Sequence, residues 1–167
     1  VGAADAARLV SALTERGETV ASAESLTAGL FAATVADVPG ASAVLRGGLI
    51  VYATDLKASL AGVPSGDLER NGPVHPDTAR ALADGARTRC GADWGVGLTG
   101  VAGPSEQDGV PVGTVHLGVS GPDGVHVVSV HLDGDRATVR GAAVDAAIRE
   151  LLERVSANRE PSGPTPR

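Results

Sequence analysis

A chain with one phenylalanine, one tyrosine, one tryptophan and no methionine has to fill its interior with small aliphatic side chains. Alanine, valine and leucine give thin layers, so helices and strands must approach one another closely. The 23 glycines among 167 residues fit that demand, because glycine marks turns and permits close backbone approach. The length suits one domain, and the 43% hydrophobic content is enough for a core.

The other compositional limits concern partners. The net charge is −6 and no basic cluster occurs, which argues against nucleic acid or an anionic membrane as the main partner. The longest apolar run, Leu49 to Ala53, is far too short to span a bilayer. Nothing at the start resembles a secretory signal, and the expected compartment is the cytoplasm. Cys90 is the lone cysteine, which excludes an internal disulfide framework or a multi-cysteine metal site. The four histidines lack metal-ligand spacing, so no metal is expected.

Periodicity organises the chain. Ala6, Val10 and Leu13 predict a helix over 3–16, stopped by Gly17. A strand over 19–23 and a helix over 27–36 follow, the latter ended by Pro39-Gly40. Residues 44–52 read as a strand, and Thr54 or Asp55 caps a short helix that carries Lys57 and Leu60. A turn-rich stretch over 62–73 holds a helical turn at 65–70. His75-Pro76-Asp77 opens a helix that runs to about Cys90, with Gly91 as its stop. Strands at 94–99, 112–120 and 125–132 follow, the last two joined by the hairpin signal Gly121 to Gly124. Asp135 caps a final helix whose apolar stripe is Val144, Ile148, Leu151 and Val155. The sum is an α/β chain, a three-layer α/β/α sandwich on a mixed sheet. The domain is expected over 1–155, with a polar, proline-rich, disordered tail over 156–167.

Four segments could carry chemistry. Ala23 to Gly29 lies where a strand passes into a helix, so Ser25 would sit at free first-turn amides able to hold an oxyanion. An ordinary N-cap role for Ser25 or Thr27 is the competing explanation. Serine needs a base, and no histidine is obviously placed to serve. Lys57, the only lysine, can serve if burial lowers its pKa, with Tyr52, the only tyrosine, as proton relay or hydroxyl holder. Leu98 to Pro104 is a small-residue loop that brings backbone N–H groups to an anion, or else a plain tight turn. Gly95-x-Gly97-x-x-Gly100 matches the dinucleotide fingerprint only formally, since it falls inside a strand with no helix after it. Arg136 and Arg140 share a helix face and suit phosphate or carboxylate, or else a solvated helix start.

Taken in order, these segments resemble the CinA C-terminal domain family. The matching pieces are Ala23-Glu24-Ser25-x-Thr27-x-Gly29, Pro39 to Ser42, Gly48 to Tyr52 with Lys57, and Gly62-Val63. Gly72-x-Val74, Leu98 to Pro104, Pro111 to Val115, and Gly134-Asp135-Arg136 with Arg140 complete the set. The resemblance covers about residues 5 to 155. It implies an α/β/α sandwich, no cofactor, a homo-oligomer and hydrolysis of the carboxamide of nicotinamide mononucleotide. It also implies Ser25 as nucleophile, Tyr52 and Lys57 as its activating partners, and Thr27, Gly29, Thr99, Gly100 and Arg140 as substrate-binding elements. The sequence departs from the family pattern at Leu26 to Gly29 and at Ser105 to Val110. A non-catalytic nucleotide-binding relative, or a serine amidase for another carboxamide, therefore stands beside that reading.

Overall fold

A computed structural model describes residues 2–158. Its five strands are β1 (Val20–Glu24), β2 (Leu45–Ile50), β3 (Trp94–Gly100), β4 (Thr114–Gly121) and β5 (Gly124–His131). They form one sheet in the order β2-β1-β3-β4-β5. β1 is parallel to β2 and β3, and the β3-β4 and β4-β5 pairs are antiparallel. The sheet is mixed, as expected. Its helices are α1 (Ala3–Arg16), α2 (Leu30–Ala36), α3 (Thr54–Ser59), α4 (Ser65–Asn71), α5 (Pro76–Cys90) and α6 (Arg136–Ala157).

Alternation along the strands divides the core in two. Val20, Val96, Leu98, Val115, Leu117 and Val119 face α1, α2 and α6, whose Leu9, Phe31, Ile148 and Leu151 fill that layer. Ala21 and Ala23 point the other way, to Leu82 and Ala86 of α5. Here the glycines explain themselves. A Cβ on Gly97 would stand 2.5 Å from the Ala79 carbonyl oxygen, and one on Gly118 only 2.4 Å from it. Gly95 and Gly97, the first two glycines of the row that mimics a dinucleotide fingerprint, form with Gly118 the bed on which α5 lies, whereas Gly100 faces Thr114 and Val115 of β4.

Several element boundaries differ from expectation, β2 stopping at Ile50 rather than Tyr52 and β4 starting at Thr114 rather than at residue 112. α2 starts at Leu30 rather than at residue 27, because Ala28 and Gly29 turn left-handed (φ 48° and 97°). α4 is a full helix rather than one turn, although it buries no residue and so gives no apolar stripe to read. α6 continues to Ala157, so Ser156 and Ala157 of the expected tail are helical. The rest of that tail, from residue 159, lies outside the described residues.

Candidate active site

The parallel strands end on one edge of the sheet, and their C-terminal loops gather the site there. β1 delivers Ser25, which is 8% exposed. Its amide donates to the Leu98 carbonyl of β3, and the Val51 amide donates to the Glu24 carbonyl. The main chain at 24–25 is therefore held from both sides. After Ser25 the chain turns: the Ala28 amide donates to the Ser25 carbonyl, and the Leu30 amide to that of Thr27.

Lys57 comes from α3 and is 1% exposed. Its Nζ lies 2.9 Å from Ser25 Oγ, 2.8 Å from the Val51 carbonyl and 3.2 Å from the Tyr52 carbonyl. Burial pulls its pKa from 10.5 down to about 8. The three neighbours suit either protonation state. An ammonium donates to all three, while a neutral amine donates to the two carbonyls and turns its lone pair to the serine hydroxyl. The second arrangement is that of a general base hydrogen-bonded to its nucleophile.

Tyr52 reaches this cluster through its main chain. Its phenol bonds to neither Ser25 nor Lys57: the residue is 55% exposed, and Arg136 Nη2 donates to its oxygen at 2.6 Å. Arg136 Nη1 donates to the Gly103 carbonyl at 2.6 Å. Two bonds hold the guanidinium, and its remaining donors stay available to an anion.

Ser25, Lys57, Tyr52 and Arg136 line a cavity of about 130 Å³, walled further by Val74, Gly100–Gly103, Ser105 and Gln107. Among the described residues, that lining carries no carboxylate.

Of the expected substrate-binding residues, Gly100 alone is on the wall. Arg140 turns away from it, donating to the Leu26 and Thr27 carbonyls at 2.9 and 3.1 Å. It braces the loop after Ser25, and Arg136 takes the wall position. Thr99 is fully buried and donates to the Pro73 carbonyl at 2.6 Å, fixing the segment before Val74. Thr27 is buried with its hydroxyl unpartnered among the described residues, and Gly29 is the left-handed residue before α2.

The expected oxyanion donors also change. The Ala28 amide is spent on the Ser25 carbonyl. The first-turn amides of α2 are spent on Glu24, whose carboxylate accepts from Phe31 N at 2.8 Å and Ala32 N at 3.2 Å. Sequence reasoning missed Glu24 because the cap acts from seven residues upstream. The signal available was a carboxylate closing an otherwise uncharged strand.

Comparison with known proteins places this geometry. A model of the CinA C-terminal domain matches residues 3–155. A CinA-like protein of Frankia casuarinae is 50% identical over 145 residues, which is 87% of this chain and 33% of that protein. A putative competence-damage inducible protein of Streptococcus pneumoniae is 44% identical over 81% of the chain and 33% of its own length. The chain thus spans about a third of the length of the curated relatives it matches. Among solved structures, the competence/damage inducible protein CihA of Agrobacterium tumefaciens is 34% identical, with a TM-score of 0.85. That similarity covers 92% of this chain and 94% of the other. A CinA superfamily protein of Klebsiella pneumoniae gives a TM-score of 0.91 at 26% identity, over 94% and 99% of the two chains.

Proposed function

Since the chain belongs to the CinA C-terminal domain family, we propose that its cavity is the active site of a serine amidohydrolase. The substrate is nicotinamide mononucleotide, and the products are nicotinate mononucleotide and ammonia. The observation that carries this reading is the buried 2.9 Å contact between Ser25 Oγ and Lys57 Nζ on the cavity wall.

Ser25 Oγ attacks the carboxamide carbon while Lys57 Nζ takes the hydroxyl proton. The negative charge that develops on the carbonyl oxygen meets the Leu26 amide. That amide belongs to the peptide whose carbonyl is held by Ala28, and it points away from the turn. Lys57 returns the proton to the departing nitrogen, and ammonia leaves. Water then attacks the ester, giving its proton to Lys57, and the carboxylate departs as Ser25 regains its hydrogen. Arg136 meets the phosphate of the nucleotide. The acid-free wall supports an anionic substrate in a protein whose net charge is −6.

Ammonia release from nicotinamide mononucleotide tests this. The parent protein should release it, and folded Ser25→Ala should release none. Lys57→Met should lose about 10²–10⁴ of the rate, the usual worth of a general base. Full activity of Lys57→Met would remove the lysine from the mechanism. A second reading, the same chemistry on another carboxamide, is favoured by Ser105 and Gln107 on the wall, within the segment that departs from the family pattern. Turnover confined to other carboxamides would establish it. Nucleotide affinity without any ammonia release would make the site a binding site.

A further inference from the structure

Glu24 is a buried carboxylate that the proposed reaction does not use. It is 1% exposed, and it is absent from the cavity wall. Burying a carboxylate is costly unless donors satisfy it. Three do: Phe31 N at 2.8 Å, Ala32 N at 3.2 Å and Ser22 Oγ at 2.9 Å. The first two are amides at the start of α2, so the side chain spans from the end of β1 to the beginning of that helix.

The span encloses the nucleophile. On one side, the main chain at 24–25 is fixed by its bonds with Val51 and Leu98. On the other, α2 is fixed by Glu24 itself. Between the two anchors lie only Ser25 to Gly29 and the first helical residue, Leu30. Within that turn Ala28 holds φ 48°, a conformation that a residue with a Cβ disfavours. A turn held against its preference relaxes when one anchor is released. Relaxation would reach Ser25 first, whose Oγ has to keep its 2.9 Å contact with Lys57.

We propose that Glu24 is a positioning residue: its carboxylate pins the start of α2 and thereby holds the Ser25 turn in the geometry that aims the hydroxyl at Lys57. This inference rests on the serine-amidase reading, and its test uses a readout that does not depend on the natural substrate. The readout is the second-order rate at which a fluorophosphonate labels Ser25, measured beside thermal melting, kcat and KM.

Glu24→Ala, folded, should label about 10–100-fold more slowly than the parent, the loss expected for a misplaced reacting group. KM should stay within about threefold, since Glu24 touches nothing in the cavity. Glu24→Gln retains one acceptor oxygen and should fall between the two. It also carries the test if Glu24→Ala does not fold. Added formate, which fits the space left in Glu24→Ala, should restore part of the labelling rate. Labelling of folded Glu24→Gln and Glu24→Ala at the parent rate would overturn the proposal and leave the serine reading intact. A folded parent that does not label at all would overturn the serine reading, and the role of Glu24 with it.

Discussion

Lys57 is satisfied in either protonation state, and that fact sets its chemistry. Two carbonyls and a hydroxyl surround the nitrogen, and burial lowers its pKa to about 8. At neutral pH most of the amine is protonated and unable to accept a proton. The rate of amide hydrolysis should therefore rise with pH, reach half its limit near about 8 and level off above it. A profile of kcat/KM against pH checks this, and one that is flat from 6 to 10 would contradict a lysine base. The two arginines of α6 divide their labour in a way kinetics can separate. Arg136 is on the cavity wall, whereas Arg140 holds the carbonyls of Leu26 and Thr27. Arg136→Met should raise KM for a phosphorylated substrate about 10–100-fold and change kcat little, as removal of a charge-assisted contact implies. Arg140→Met should lower kcat and spare KM. The opposite assignment would put Arg140 against the substrate.

The elements that place these residues depend on glycine where α5 meets the sheet. Gly95, Gly97 and Gly118 leave no room for a Cβ: the nearest helix backbone atoms would lie 2.1, 2.5 and 2.4 Å away. Gly97→Ala should push α5 off the sheet and destabilise the fold by about 2–3 kcal/mol, as overpacking does. Chemical denaturation measures that loss, and a change under about 0.5 kcal/mol would show that the helix shifts freely. Activity should fall too, because Thr99 ties β3 to Pro73, just ahead of α5. What could be read from the sequence were the features whose cause is local. Gly17 and Gly91 end their helices left-handed, His75 accepts from the Asp77 amide, and Asp135 accepts from that of Thr138. The pairing of Ser25 with Lys57 was also legible, since strand ends of an open α/β sheet converge on one edge. The start of α2 was not, because its cap is Glu24, outside the window in which capping residues normally lie. Nor could the arginines be told apart. Two arginines four residues apart on one face look equivalent until the sheet fixes where α6 begins.

At the scale of the whole molecule, the buried Lys57 is a liability that the fold carries. Its pKa is about 8 when folded against 10.5 when unfolded, so the folded state disfavours the proton. Below pH 8 both states hold that proton, and the penalty is present in full. Between about 8 and 10.5 the folded protein releases it first, the unfolded chain binds more protons, and stability rises with pH. The shift corresponds to roughly 3 kcal/mol. Lys57→Met removes the titration but strands the Val51 and Tyr52 carbonyls without their donor, so the offset between the two proteins at one pH mixes both effects. The pH dependence separates them. Urea unfolding of parent and variant at intervals from pH 7 to 10.5 should give a stability difference that is flat up to about 8. It should then move toward the parent by up to roughly 3 kcal/mol. A difference that stays constant across the whole range would mean that the lysine is solvated in the folded protein. The same result would remove the physical basis for its acting as a base beside Ser25.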